Sequence, residues 1–164
     1  MIYFIELITG SHDLESFDCG DERKNIFLKK FALQNTKGGL GRTYVAVEEA
    51  SSTIVYGYYT ISSSSVTFDS PPVHLPRYPL PSVLIGKLAT DIDAQNQGLG
   101  TMLLFDALER AARVAEEIGI FLVEIQAVDE KARAIYEKRG FTSMQDEPMK
   151  MYMNLKKVRK LLAE

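Results

Sequence analysis

The chain has 164 residues, of which 46% are hydrophobic and 25% are charged, and its formal net charge is −3. These values predict a single globular domain over residues 1–164, and no apolar run approaches the ~20 residues that would cross a bilayer. The only cysteine, Cys19, excludes an internal disulfide and a zinc site built from cysteines. No metal is therefore predicted, and a reducing cytoplasm is the expected compartment.

Three strands and one helix are predicted in the N-terminal half. Residues 1–8 are typical of a strand and lack the basic start and the cleavage site of a signal peptide. Apolar side chains recur every three or four positions over residues 22–34, which predicts an amphipathic helix that ends at Gly38-Gly39. Residues 42–49 and 53–62 are rich in Thr, Tyr, Val and Ile, and predict a hairpin of two strands.

Residues 69–82 hold five of the six prolines. Because proline disrupts the interior of helices and sheets, this segment is predicted to be a surface loop, and loops of this length often have a function. The two histidines, His12 and His74, are expected on the surface, and Cys19 is expected to be a packing residue.

The C-terminal half is predicted to alternate strands and helices. The strands are 83–89, 121–126, 141–143 and 149–155, and the helices are 100–118 and 129–139. Together with the N-terminal elements, this order predicts an α/β (α+β) fold with a mixed sheet and helices on both sides.

A polar loop with two glycines, Gln95–Gly100, joins a buried strand to the longest predicted helix. Backbone N–H groups collect at such a junction beside the positive end of the helix dipole, which favours a phosphate ligand. A Walker loop needs a lysine after its glycine, and a dinucleotide fingerprint needs three glycines after the first strand. The sequence has neither pattern.

Two motifs within residues 83–143 resemble the GNAT superfamily of N-acetyltransferases, which use acetyl-CoA. Gln95-Asn96-Gln97-Gly98-Leu99-Gly100 is similar to the Q/R-x-x-G-x-G/A pyrophosphate loop of that superfamily. The segment from Asp129 to Phe141 resembles its N-x-x-A-x-x-x-Y-x-x-x-G-F segment, with aspartate in place of the usual asparagine. The resemblance implies a mixed, mostly antiparallel central sheet with a splayed parallel strand pair, and acetyl-CoA as co-substrate.

The same resemblance implies the roles of individual residues. The backbone of Leu88 to Thr90 would pair with the pantetheine arm, and Tyr136 would act as general acid toward the departing thiolate. The alternative for Tyr136 is a tyrosine that only packs in the core. The residues implied to bind acetyl-CoA are Leu88, Ala89, Thr90, Gln95, Asn96, Gln97, Gly98, Leu99, Gly100, Thr101 and Asp129.

A general base is not evident in the sequence. Glu48, Glu49 and Glu124 lie on predicted strands and are the candidate carboxylates, acting directly or through water. An acceptor amine of low pKa would need no protein base.

The N-terminal half narrows the resemblance to the tRNA-acetylating GNAT toxins of toxin–antitoxin pairs. Phe17-Asp18-Cys19-Gly20, Gly41-Arg42-Thr43-Tyr44-Val45-Ala46 and Leu84–Asp91 carry this resemblance. It implies transfer to the α-amine of aminoacyl-tRNA, a small DNA-binding antitoxin as partner, and a homodimer. The basic side chains predicted to bind the acceptor are Lys87, Arg42, Arg77, Lys30 and Lys37. Two alternatives remain: transfer to a small-molecule, protein or peptide amine, and a non-catalytic acetyl-CoA sensor.

Positive charge is concentrated in two segments. Residues 21–42 and residues 150–164 each carry a net charge of +4, although the whole chain is acidic. Two interpretations fit this pattern: a surface for a polyanion, or a solvated helix face together with a soluble tail.

Overall fold

The computed structural model describes residues 2–49, 52–68 and 79–164. Seven strands lie in these residues, and they are β1 (Phe4–Leu7), β2 (Arg42–Val47), β3 (Gly57–Val66), β4 (Leu80–Thr90), β5 (Leu122–Gln126), β6 (Thr142–Ser143) and β7 (Lys150–Asn154). The helices are α1 (Glu22–Ile26), α2 (Leu33–Gly38), α3 (Leu99–Val114), α4 (Glu130–Lys138) and α5 (Leu155–Leu162), with a π-helical segment at Phe27–Ala32 and a 3₁₀ turn at Ile92–Ala94. None of these helices is long and apolar enough to cross a membrane.

The strands form one mixed sheet in the order β1-β2-β3-β4-β5-β7-β6. Strand β4 pairs with β5 in parallel, whereas β1 with β2, β2 with β3, β5 with β7 and β6 with β7 are antiparallel. This is the mixed, mostly antiparallel sheet with one parallel pair that the resemblance implies.

The contacts of the chain divide it into two compact units. Met1–Ser62 and Gly86–Ala107 form the first unit, and Ser63–Ile85 and Leu108–Glu164 form the second. Strands β3 and β4 and helix α3 each contribute residues to both units. The prediction of a single domain stays a prediction.

The first unit packs its N-terminal helices on β2 and β3. The predicted helix is present and ends at Gly38, as the sequence predicts, but its middle, Phe27–Ala32, has the wider hydrogen-bond pattern of a π-helix. Gly39 adopts a left-handed conformation directly after it. The core residues of this unit are Ile8, Phe17, Leu28, Ala32, Val45, Val47, Val55, Tyr58 and Ala89.

The second unit has a smaller cluster around β5. Val66, Phe68, Leu80 and Leu122 are buried together, and Met144 and Tyr152 pack against them. The Phe68 and Tyr152 rings meet edge to face, with 5.1 Å between their centroids. Strand β5 is thereby held between β4 and β7.

The prediction that residues 69–82 form a loop is wrong at the C-terminal end of this segment. Strand β4 begins at Leu80 and includes Pro81, which is exposed. The carbonyl of Pro81 accepts a hydrogen bond of 2.8 Å from the Phe121 N–H, and pairing with β5 starts at Ser82. Proline is tolerated near a strand start because its carbonyl still accepts a hydrogen bond. Residues 69–78 lie outside the described residues.

Two predicted boundaries differ from the structure. Strand β3 starts at Gly57, four residues later than predicted, and continues through the serine run to Val66. Helix α3 ends at Val114, and residues 115–118 continue it only as turns. Ile118, predicted to lie on the apolar stripe of the helix, is 58% exposed.

The predicted soluble tail is wrong, because residues 155–162 form helix α5. The Asn154 side chain caps it by accepting a hydrogen bond of 2.8 Å from the Lys157 N–H. Leu155 and Val158 are buried and fix the helix on the second unit. The sequence pattern that indicates this helix is the helical spacing of the apolar residues Leu155, Val158, Leu161 and Leu162.

Candidate functional site

The loop after β4 is anchored by a buried carboxylate. Asp91 is 8% exposed, and its N–H donates to the Tyr56 carbonyl at 2.8 Å. Its carboxylate accepts hydrogen bonds from the N–H groups of Asp18 (3.0 Å) and Asp93 (2.9 Å). The entrance of the loop is therefore fixed before the glycines begin.

Two glutamine side chains hold the loop from within. The Gln95 side-chain amide donates to the carbonyls of Thr90 (3.1 Å) and Cys19 (3.2 Å). The Gln97 amide donates to the Asp93 carbonyl at 3.3 Å. Gln95 thus ties the loop to the end of β4 and to the Cys19 segment, and Gln97 ties it to the 3₁₀ turn.

Two residues of the loop adopt left-handed conformations. Asn96 has a φ of 65° and Gly98 has a φ of 83°. A Cβ atom at Gly98 would meet nothing within 4 Å in the described structure, so the backbone conformation and not crowding favours glycine there. Consecutive N–H groups in such a turn form a concave site that suits an anion.

Helix α3 begins at the end of this loop. Its first intrahelical hydrogen bond runs from the Met102 N–H to the Gly98 carbonyl at 3.0 Å, so the N–H groups of Leu99 and Gly100 precede the hydrogen-bond ladder. Leu99 is 2% exposed and anchors the first turn, which contains no acidic residue. The predicted pyrophosphate residues Gln95 to Thr101 thus lie at the positive end of a 16-residue helix.

The last residues of β4 extend beyond its pairing with β5. The hydrogen-bonded register ends at Ile85 and Ile125, whereas β4 continues to Thr90. The Leu88 carbonyl accepts a hydrogen bond of 3.2 Å from the Lys24 ammonium, and Ala89 is buried. The amphipathic pattern of residues 22–34 did not predict this contact of Lys24.

Tyr136 lies near the C-terminal end of α4 in the second unit. It is half-buried, and its ring meets the Phe141 ring edge to face at 6.0 Å. Burial raises the pKa of the Tyr136 phenol above its ordinary value, and the negative charge of Asp129 adds to this shift. The phenol is therefore a proton donor throughout the neutral pH range.

Asp129 is the N-cap of α4, as the sequence predicts. Its carboxylate accepts a hydrogen bond of 2.8 Å from the Ala132 N–H. Asparagine at this position would cap the helix in the same way, so the departure from the family pattern preserves the helix start.

Glu124, one of the three candidate carboxylates, lies on β5 in the second unit. Its side chain is half-buried. One of its carboxylate oxygens is buried without a hydrogen-bond partner among the described residues. Burial raises the pKa of Glu124, while Lys150 and a hydrogen bond with Ser64 oppose the shift. The side chain lines a cavity of about 140 Å³ together with Asp146, Glu147 and Lys150.

Lys87 is the predicted acceptor residue that lines a cavity of the first unit. The Lys87 ammonium lies 4.5 Å from the centre of the Phe27 ring, and the Lys87 backbone N–H donates to the Thr60 hydroxyl at 2.9 Å. The cavity has a volume of about 160 Å³ and is also lined by Asn35 and Thr43.

The structure does not bring the other predicted acceptor residues to this cavity. Arg42, Lys30 and Lys37 are exposed and are not among its lining residues. Arg77 lies outside the described residues, as does His74.

His12 is not a surface residue, contrary to prediction. It is 7% exposed, its Nδ1 accepts a hydrogen bond of 3.0 Å from the Thr9 N–H, and its Nε2 lies 3.0 Å from the Glu6 carboxylate. Cys19 packs against the core of the first unit, and burial raises the pKa of its thiol. Neither residue therefore resembles a nucleophile or a free base. Within the described residues, no group of three His, Cys, Asp or Glu side chains is placed to hold a metal ion.

The family model of the acetyltransferase (GNAT) domain matches residues 39–143. A tRNA-acetylating toxin of Mycobacterium tuberculosis (strain ATCC 25618 / H37Rv) is 31% identical over 160 residues, which cover 96% of this chain and 95% of that protein. The relative thus matches both the N-terminal and the C-terminal segments that the family model leaves out.

Two solved structures are similar over almost their whole length. AtaT complexed with acetyl-methionyl-tRNAfMet has a TM-score of 0.89 at 27% identity and covers 98% of this chain and 99% of that chain. A Tyr-to-Phe mutant of the AtaT toxin, bound to the C-terminus of the antitoxin AtaR and to acetyl-CoA, has a TM-score of 0.88 at 27% identity and covers 99% of both chains. These similarities confirm the predicted fold.

Proposed function

The chain belongs to the GNAT acetyltransferase family, and from this premise we propose that it transfers the acetyl group of acetyl-CoA to the α-amine of an aminoacyl-tRNA. The choice of aminoacyl-tRNA as acceptor rests on one observation, the 31% identity to a tRNA-acetylating toxin over 96% of the chain. At 96% coverage, that similarity extends into the segments on both sides of residues 39–143, which the family domain matches. The chain would accordingly act as the toxin of a toxin–antitoxin pair.

The loop before α3 is the proposed pyrophosphate site. The N–H groups of Gln97 to Thr101 and the helix dipole supply positive charge, and the absent side chains at Gly98 and Gly100 allow a close approach. The helix dipole contributes ~0.3–1 kcal/mol to such binding. Gln95, Asn96 and Asp129 complete the proposed set, and the Leu88–Thr90 backbone would pair with the pantetheine arm.

The proposed reaction is a direct attack of the acceptor amine on the thioester carbon. A C–N bond forms, the C–S bond breaks, and the attacking nitrogen releases one proton to water, from which Tyr136 recovers the proton that it donates. Tyr136 supplies a proton to the leaving sulfur, a role that suits a phenol whose raised pKa keeps it protonated. The α-amine of an aminoacyl ester has a lower pKa than lysine, so a neutral fraction attacks without a protein base.

The proposed acceptor contacts are the basic side chains of the first unit. Lys87 is fixed by Phe27 and Thr60, and the exposed Arg42, Lys30 and Lys37 would add phosphate contacts. A tRNA acceptor would place the reaction in the cytoplasm, and a small DNA-binding antitoxin is the proposed partner, as for AtaT with AtaR. The homodimer stays a prediction from the sequence.

The decisive experiment measures CoA release from acetyl-CoA by the purified chain. We expect release with charged tRNA and none with uncharged tRNA, and an N-acetylated amino acid on the recovered tRNA. Release of CoA with small amines or peptide N-termini, but not with charged tRNA, would show that the acceptor is one of these amines and not aminoacyl-tRNA. Binding of acetyl-CoA without transfer to any amine would identify a sensor.

A further inference from the structure

A basic groove lies in the second unit between the C-terminal end of α4 and helix α5. Its volume is about 590 Å³. Its charged lining residues are the cations Lys138, Arg139, Lys156, Lys157 and Lys160 and one carboxylate, Glu164. We call this feature the α4–α5 groove.

Lys156 and Lys157 do not stabilise the helix that carries them, whereas Lys160 lies in the last turn, where the helix dipole favours a cation. Lys156 and Lys157 lie in the first turn, beside the positive end of the helix dipole, and this turn has no acidic residue. Lys156 and Lys160 are like charges four residues apart, which also disfavours the helix. Neither residue forms an ion pair in the part of the chain that the structure describes. The fold therefore tolerates this charge and does not need it.

The floor of the groove is rigid. Asn154 caps α5, and the buried Leu155 and Val158 fix the helix in place. A Cβ atom at Gly140 would lie 3.2 Å from Cε and 3.6 Å from Nζ of Lys157, so the ammonium rests against the backbone that follows α4. The cations of two helices are thus held around one space.

The groove begins on the same helix as Tyr136. Lys138 follows Tyr136 by two residues, so the two side chains start from the same turn of α4 and leave it on different faces. An acceptor as large as a tRNA, with its amine at Tyr136, would extend past this turn to the groove.

We propose that the α4–α5 groove binds phosphodiester groups of the aminoacyl-tRNA acceptor, as a contact additional to those of Lys87, Arg42, Lys30 and Lys37. This inference rests on the proposed function. The charge of the groove favours nucleic acid over protein, because the centre of a protein interface is poor in charged residues. Interfaces with nucleic acid are strongly positive, and five cations surround this groove against one carboxylate.

The test compares the wild-type chain with the triple variant Lys156→Gln, Lys157→Gln, Lys160→Gln. Arg159→Gln is the matched control, since Arg159 lies on the same helix but does not line the groove. Each protein is measured for KM toward aminoacyl-tRNA over a series of salt concentrations, for KM toward acetyl-CoA, and for Tm.

We expect the triple variant to raise the KM for aminoacyl-tRNA about tenfold or more and to reduce the slope of log affinity against log salt by about two. The KM for acetyl-CoA stays unchanged, and Tm stays equal or rises because repulsion is removed. The control keeps the wild-type KM and slope. If the triple variant does not fold, Lys157→Gln alone is compared with Arg159→Gln.

An unchanged KM and salt slope for tRNA would overturn the inference while leaving the proposed function intact. The same holds if the variant acetylates tRNA normally but loses a protein partner, which would make the groove a protein interface. A wild-type chain that acetylates no aminoacyl-tRNA refutes the proposed function instead. Filter binding of uncharged tRNA then still decides whether the groove lysines contact RNA.

Discussion

The ammonium of Lys87 lies 4.5 Å from the centre of the Phe27 ring, so a proposed acceptor-binding cation rests on an aromatic face. The Phe27 ring is itself held in place, because it stacks on Tyr58 with 6.3 Å between ring centroids. Phe27 opens the π segment of the N-terminal helix. The position of the cation thus depends on how this helix packs in the first unit.

Replacing Phe27 by leucine is expected to raise the KM for aminoacyl-tRNA about threefold. The change removes a cation–π contact worth ~0.5–1 kcal/mol and keeps an apolar side chain. The KM for acetyl-CoA should not change. The control is Phe31→Leu, which alters an exposed ring of the same segment. Equal KM values for the two variants would contradict a role for the Phe27 ring.

Tyr136→Phe is expected to lower kcat about 100-fold or more, the usual contribution of a general acid. Both KM values should stay close to wild type, because phenylalanine preserves the ring contact with Phe141. Tyr152→Phe, in the same unit, serves as the control and should remain fully active. Equal activity of the two variants would leave Tyr136 as a packing residue.

The pKa of Tyr136 is expected to lie above its ordinary value of 10.0, because burial and the charge of Asp129 both disfavour the phenolate. The ultraviolet absorbance of tyrosinate, taken as the difference between wild type and Tyr136→Phe, should therefore develop above that pH. Asp129→Asn keeps the helix cap but removes the charge, so it should shift this titration to lower pH. An unchanged titration would show that the charge of Asp129 does not act on the phenol.

Gly100→Ala is expected to stabilise the fold and to weaken acetyl-CoA binding. A Cβ atom there would come no closer than 4.0 Å to Thr90 Cγ2, and alanine stabilises a helix by ~0.5–1 kcal/mol relative to glycine. Its methyl group would nevertheless occupy the space through which the pyrophosphate approaches. Calorimetric Kd values and Tm measure both effects, with Gly38→Ala as a control that should change Tm only. Unimpaired binding would argue against the proposed phosphate position.

Glu124→Gln is expected to raise Tm at about pH 7.5 and to leave it unchanged at about pH 4. The folded-state pKa of Glu124 is raised by burial, so the ionised carboxylate destabilises the folded chain. This penalty disappears as the pH falls through the raised pKa, where wild type and variant become equivalent. A Tm gain that persists in acid would point to packing instead of charge.

The same Glu124→Gln variant tests whether the reaction needs a protein base. We expect kcat to stay within about twofold of wild type, because the acceptor amine has a low pKa and deprotonates without assistance. A large loss of kcat that is restored at higher pH, where the amine is already neutral, would assign Glu124 as the base.

Sequence patterns predicted the elements whose signals are local. The content of Thr, Tyr, Val and Ile identified β2, and Asp129 marked the start of α4 through its capping side chain. The π segment was not predictable, since it depends on how Phe27–Ala32 packs on the sheet. Helix α5 had a local signal, but its dense positive charge favoured the interpretation as a tail.

The candidate site was predictable where one continuous stretch forms it. Gln95 to Thr101 form the loop and the helix start that the glycine spacing predicted. Contacts between distant residues were not predictable. Lys24 and Leu88 are separated by 64 positions, and Lys87 and Phe27 meet only through the folded first unit. The buried His12–Glu6 pair was missed because burial depends on the packing of the whole unit.

The π segment makes the N-terminal helix sensitive to insertions and deletions. A π turn holds one residue more than an α turn, so deleting one residue within Phe27–Ala32 would convert the region to a continuous α-helix. Each residue of an α-helix turns the chain by about 100°, so the two ends would rotate relative to each other. Thr36 accepts the Thr43 N–H at 3.1 Å, and Asn25 accepts the Cys19 N–H at 2.9 Å. A chain shortened by this one residue could keep only one of these two attachments, so the length of the segment is itself a structural constraint.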